Sequence, residues 1–223
     1  MYLKCMLLAV VVIAAAQSPV APGPDVVAVP LSNGEYQFQL VDNPSRTEHM
    51  TVTTAFRVSD AVCAINGGFF DENFRAVGYY KVDGEVIVDH PSPGLSGWVC
   101  IDKDGRLSIH FKEADPDQYA SVFQCGPMLV DPGGKPGIRS DDGKVADRSA
   151  ILQLNDGSFV FLYHSKTTLH ALSQYILAEY PTVDRAINLD GGPEAGIATK
   201  MPTLQIHENT IASKAYIVVR GKG

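Results

Sequence analysis

The stretch "SAILQLNDGSFVFLYH", Ser149 to His164, sets two apolar runs around Asp156-Gly157. An Asp-Gly pair supplies the positive φ angles of a tight turn, so the stretch reads as a β-hairpin. "VGYYKVDGEVIVDH" (Val77 to His90) and "WVCIDKDGRLSIHF" (Trp98 to Phe111) repeat the arrangement. Asn33-Gly34 marks a further turn between apolar runs. Most of the chain up to residue 165 is therefore expected as antiparallel strand.

Downstream of the hairpin the period changes. Thr167 and Thr168 offer N-caps, and apolar residues follow at Leu169, Leu172, Ile176 and Leu177, with Tyr180 closing the stripe. That spacing predicts a helix, and Pro181 stops it. "RAINLD", Arg185 to Asp190, returns as a strand. Val52 to Val58 reads either as a second helix or as another strand. The expected fold is α+β: a hairpin-rich, mainly antiparallel sheet with one or two packed helices in a single domain.

At the N-terminus, Lys4 precedes an apolar run from Met6 to Ala16 that ends in three alanines. This is the pattern of a signal peptide over residues 1–16, with a retained anchor as the alternative. Residues 17–29 read as a Pro-rich flexible lead-in, and 30–223 as the domain. An exported protein, periplasmic or secreted, with no transmembrane span after processing is expected. The formal charge of −7 argues against nucleic acid as a partner, because a phosphate backbone needs a basic footprint. Cys63, Cys100 and Cys125 sit in apolar runs and read as small buried hydrophobes.

Four segments are unlike ordinary hairpin material. "AINGGFFD", Ala64 to Asp71, ends a strand in Asn66, Gly67 and Gly68, which let backbone approach a ligand, followed by Phe69 and Phe70 as walls. "QCGPMLVDPGG", Gln124 to Gly134, breaks an apolar run at Gly126-Pro127. "DRSAI", Asp147 to Ile151, places Arg148 at a strand mouth, where a guanidinium can hold a phosphate or carboxylate. "AINLDGGPEAG", Ala186 to Gly196, ends a strand at Asp190, adds two glycines, and brings a second acid at Glu194.

Other chemistries fail their own patterns. "GGK" at Gly133 to Lys135 lacks the remaining P-loop residues, and "GLSGW" misses the nucleophile elbow by its last residue. The six histidines are scattered, without zinc-ligand spacing. No metal and no cofactor are expected.

Taken in order, "NGGFFD", "VGYYKVDGEVI", "CGPML", "RSAI" with "DGSFVF", a helix and "AINLDGG" resemble the phosphodiester glycosidase domain family, over roughly residues 30 to 220. The resemblance implies hydrolysis of a sugar-1-phosphodiester, such as an N-acetylglucosamine-1-phospho-sugar, releasing the sugar and a phosphomonoester. The implied partner is a phosphorylated glycan or sugar-phosphodiester substrate. The matching positions are Asn66, Gly67, Gly68, Gly126, Arg148, Ser149, Asp190, Gly191 and Gly192. Many members continue past the glycines with a third glycine or a proline and then a serine; this chain has Pro193 and then Glu194.

The chemistry suits these residues. A phosphate monoester is a better leaving group than a sugar hydroxyl, so a cation and N–H donors matter more than a strong acid. Asp190, Arg148 and Asn66 are the expected catalytic groups. Gly67, Gly68, Phe69, Asp71, Gly126, Ser149, Gly191, Gly192 and Glu194 are the expected substrate contacts. Within this reading Asp190 faces the anomeric carbon, and Asp71 or Glu194 is the candidate for a second carboxylate role. A non-catalytic binding module for cell-surface polysaccharide or phosphoglycan is the alternative.

Overall fold

The computed structural model describes residues 26–45, 50–208 and 210–222. The expected leader and the lead-in up to residue 25 lie outside the described residues. The first strand, β1 (Val26–Leu31), is already paired along its length, so residues 26–29 belong to the domain and not to a flexible lead-in.

All three Asp-Gly hairpins form. They are β4 (Tyr80–Val82) with β5 (Glu85–Val88), β6 (Gly97–Ile101) with β7 (Leu107–Phe111), and β11 (Ala146–Leu154) with β12 (Phe159–Thr167). In the first, Asp83 and Gly84 both take positive φ, 47° and 89°, as a type I′ turn requires. The Asn33-Gly34 turn does something else. It joins β1 to β2 (Tyr36–Asp42), and the two strands enter different sheets.

The strands build three sheets. The first runs β1, β12, β11, β13 (Val183–Asn188), β9 (Met128–Asp131), β10 (Lys135–Pro136). The second runs β15 (Gln205–His207), β14 (Ile197–Thr199), β3 (Cys63–Asn66), β16 (Ala215–Gly221), β2. The third runs β5, β4, β8 (Ser121–Cys125), β6, β7. Every pairing is antiparallel.

The inner faces share one core. Phe161, Ile151 and Ile187 come from the first sheet, Ile65, Leu40 and Ile217 from the second, and Val99, Ile109 and Phe123 from the third. Gly97 is where the third sheet meets the first. A Cβ there would stand 2.5 Å from Ile187 Cδ1 and 2.9 Å from Met128 Sδ, so no larger residue fits without displacing the core. Cys63, Cys100 and Cys125 are buried free thiols.

The outer faces differ. Helix α2 (Leu169–Glu179) covers the first sheet, burying Leu172 and Ile176 against Leu129, Ala150 and Leu162. Thr168 caps it through Ala171 N–H at 3.1 Å. Residues 52–58 resolve as a helix, α1 (Val52–Val58), which covers the second sheet with Val52, Ala55 and Phe56. The third sheet carries an aromatic outer face, Tyr79, Trp98, Cys100 and Val122, flanked by Ala114 and Tyr119 from a loop.

Candidate active site

The ends of β3 and β13 meet. Asp190 N–H donates to Gly67 O at 3.1 Å, and Asn66 Nδ2 donates to Asp190 O at 2.8 Å. Asn66 Oδ1 accepts Gly196 N–H at 3.1 Å. Its amide is therefore committed to backbone on both sides, and the residue is fully buried. Asn66, expected among the catalytic groups, positions Asp190 and presents no group to a ligand.

Asp190 stands at the end of β13 with partial exposure. Gly191 N–H donates to its Oδ1 at 2.9 Å. Burial, and then the charge of Glu194, push its carboxyl from the ordinary carboxylate range up to about 7. The single N–H bond pulls the other way and is the weakest influence. Glu194 lies in the 3-10 turn Gly192–Glu194, which packs on β11.

Arg148 comes to the same place from β11. A Cβ on Gly191 would stand 3.3 Å from Arg148 Nη1 and 3.1 Å from Asp147 O. Gly191 is thus required for the close approach of the arginine to the Asp190 turn. Nη2 donates to Lys144 O at 2.9 Å, and Nε to Thr167 O at 3.5 Å. Among the described residues Arg148 makes no ion pair with a carboxylate. Burial lowers its pKa from the ordinary guanidinium range, and the side chain is half-buried.

The glycines act mainly as packing elements. Gly67 N–H donates to Ala215 O at 2.8 Å, and a Cβ there would meet Ala215 at 3.0 Å. A Cβ on Gly68 would meet Phe123 at 2.9 Å and Gln124 O at 3.0 Å. Gly67, expected as a substrate contact, has no N–H to offer a ligand, because that donor is already used. Gly192, at φ +71°, supplies the left-handed bend after the Asp190 turn.

The remaining expected contacts separate into groups. Ser149 is fully buried and acts through its carbonyl, which accepts Leu189 N–H at 2.9 Å. Gly126, at φ +153°, accepts Asn188 Nδ2 at 3.1 Å. Phe69 is half-buried and packs on the central core. Asp71 is exposed, and its Oδ1 accepts the N–H groups of Asn73 and Arg75, both at 2.9 Å. It folds its own loop, so Glu194 and not Asp71 is the acid coupled to Asp190.

Sequence reasoning passed over Asn188, which ties β13 to the Gly126-Pro127 turn. A polar residue inside "AINL" was the signal. It also passed over Asp147, whose Oδ2 accepts Tyr163 O–H at 3.0 Å while Tyr163 packs 4.6 Å from His207. Among the described residues there is no cluster of three His, Cys, Asp or Glu side chains that could hold a metal ion.

Asp190, its carboxyl held up in pKa, and the half-buried Arg148, which makes no carboxylate ion pair among the described residues, thus meet at the Gly191 turn. The family model for phosphodiester glycosidases matches residues 59–218, and the chain belongs to that family. Among solved structures, it is similar to the zebrafish N-acetylglucosamine-1-phosphodiester alpha-N-acetylglucosaminidase catalytic domain auto-inhibited by its pro-peptide. That likeness has a TM-score of 0.63 at 15% identity, over 92% of this chain and 86% of that one. A hypothetical protein from Synechocystis matches with TM-score 0.58 at 14% identity, over 88% of this chain and 59% of that one. A Burkholderia pseudomallei K96243 protein described as a candidate exported protein matches with TM-score 0.55 at 12% identity, over 83% of this chain and 71% of that one. At these identities the likeness shows the fold. No curated protein matches the chain in sequence.

Proposed function

We propose that the protein is an exported hydrolase that cleaves the glycosidic bond of a sugar-1-phosphodiester. The observation that carries this reading is Arg148: a half-buried guanidinium, free of any carboxylate ion pair among the described residues, set against Gly191 beside Asp190. Export is supported by the apolar N-terminal run and by the exported description of the Burkholderia neighbour. Among the described residues no helix is long and apolar enough to cross a membrane.

In this mechanism Arg148 binds the phosphodiester and Asp190, ionised, accepts a proton from water at the anomeric carbon. The new C–O bond forms as the bond from the anomeric carbon to the phosphate oxygen breaks. The electron pair leaves with the phosphomonoester, whose added negative charge Arg148 stabilises. The water proton stays on Asp190 and passes to solvent. Asn66 and Gly67 hold the backbone of Asp190 in place.

The test is release of free sugar from a panel of synthetic sugar-1-phosphodiesters. Arg148→Ala is expected to lower kcat/KM by roughly 100- to 1000-fold, the usual loss for one donor to a developing anion. Asp190→Asn is expected to lower kcat by about 10²–10⁴-fold. Wild type no faster than Asp190→Asn on every member of the panel defeats the proposal. Glu194, in place of the family's usual serine, favours a second reading in which the same site binds a phosphoglycan without turnover. Saturable binding with no sugar released selects it.

A further inference from the structure

The outer face of the third sheet holds a cleft of about 720 Å³. Trp98, Tyr79 and Phe111 give it aromatic walls, and Asp89, Lys112 and Glu113 stand among its polar groups. Its volume falls in the roughly 300–1,000 Å³ range of small-molecule sites. Neither Asp190 nor Arg148 lines it, and two of its lining residues, Ser96 and Gln124, touch the strand-end glycines of the neighbouring segments. Ser96 lines the cleft, and a Cβ on Gly126 would meet Ser96 N and Oγ at 3.1 Å. Gln124 lines it too, and Gln124 O closes the space over Gly68 at 3.0 Å.

Gln124 carries the second observation. It is 3% exposed, and its Oε1 accepts two backbone N–H groups, from Tyr79 at 3.0 Å and Ser92 at 2.7 Å. Two N–H donors on one atom fix that atom as the oxygen. The other end of the amide, Nε2, makes no hydrogen bond to the described residues, although it belongs to a side chain that lines the cleft. Nε2 is not one of the buried side-chain atoms left without a partner, so it is open to solvent, and its two N–H bonds can donate to an acceptor on a ligand.

We infer that this cleft is a subsite for a neutral oligosaccharide, the part of the substrate that lies beyond the phosphate. The inference rests on the phosphodiester reading of the Asp190 site. Sugar rings present apolar C–H faces to aromatic walls and hydroxyl groups to amide and charged rims, and both kinds of surface are present. The charges named above sum to one negative, so a second phosphate is disfavoured.

Trp98 is the one tryptophan of the chain, so its emission reports the cleft directly and without turnover. The protein is titrated with cellotetraose, chitotetraose and mannotetraose, and with glycerol phosphate as the charged control. At least one tetrasaccharide is expected to give a saturable change in Trp98 emission, and glycerol phosphate none. Ser92→Tyr and Glu113→Tyr, which fill the cleft from two rims, are each expected to weaken that binding at least tenfold with an unchanged circular dichroism spectrum. No saturable change with any tetrasaccharide, or equal binding by both filled variants, overturns the inference. In the kinetic arm, kcat/KM for a diester with a tetrasaccharide aglycone is expected to exceed that for the methyl diester at least tenfold, and the ratio to approach one in the filled variants. Equal rates on both diesters in the wild type overturn the link to the active site. If neither diester is cleaved, the hydrolase reading has failed, and the Trp98 titration decides the cleft alone.

Discussion

Asp190 is a carboxyl whose neighbours disfavour its charge. Burial and Glu194 raise its pKa to about 7, so the ionised base becomes populated only as pH rises through neutrality. If Asp190 accepts the proton, kcat/KM rises with pH and its limb is centred near 7. Glu194→Gln removes one of the two raising influences, and the limb is expected to move to lower pH. An unchanged limb in that variant excludes the pairing. The same carboxyl has a stability signature of known sign. Its folded pKa lies above its unfolded one, so the native state holds the proton more tightly, and stability from this group falls between about pH 4 and pH 7. Asp190→Asn keeps an acceptor for Gly191 N–H and lacks that penalty. Its melting temperature is expected to match wild type near pH 4 and exceed it above pH 7, by on the order of 1–3 kcal/mol in stability. Asp190 and Arg148 were readable as strand-end groups. The work of Asn66 was not, because its partners Asp190 and Gly196 lie far along the chain and the amide type does not reveal which backbone it clamps.

At the scale of elements, the hairpins were legible because Asp-Gly turns are local. Residues 52–58 were not, since "VTTAFRV" is rich in β-branched residues and equally suited to a strand. What decides is context: Thr51 caps the turn by accepting Thr54 N–H, and Val52, Ala55 and Phe56, spaced by three and four, find a covering place on the second sheet. The start of α2 has consequences beyond the helix. Thr168 caps it, and the preceding residue, Thr167, offers its carbonyl to Arg148 Nε. Thr168→Ala is expected to cost about 1 kcal/mol by denaturant unfolding. Because the strand-to-helix junction also holds the guanidinium, kcat/KM on a phosphodiester is expected to fall several-fold under conditions where the protein remains folded. A stability loss with unchanged kinetics would show that the cap and the arginine are independent.

At the scale of the molecule, the second and third sheets are tied by a buried polar latch. Lys214 Nζ pairs with Asp42 Oδ1 at 2.9 Å and donates to Asn43 O at 3.1 Å, and Tyr80 O–H donates to the same Asp42 oxygen at 2.7 Å. The ammonium also lies 5.6 Å from the Phe74 ring centroid and 5.9 Å from that of Tyr80. Lys214 is 7% exposed, so removing either charge leaves the other poorly solvated. Lys214→Ala is expected to cost about 3–5 kcal/mol. Replacing the whole latch by apolar groups, Lys214→Met with Asp42→Leu and Tyr80→Phe, leaves no buried charge behind and is expected to cost less than Lys214→Ala alone. The next residue, Ala215, accepts Gly67 N–H, and Gly67 O holds Asp190 N–H, so the latch is two hydrogen bonds from the candidate base. If it serves only stability, the triple variant retains wild-type kcat/KM once folded. If it also sets the position of Asp190, the triple variant is stable and slow, and urea melts with single-turnover sugar release on the same samples separate the two.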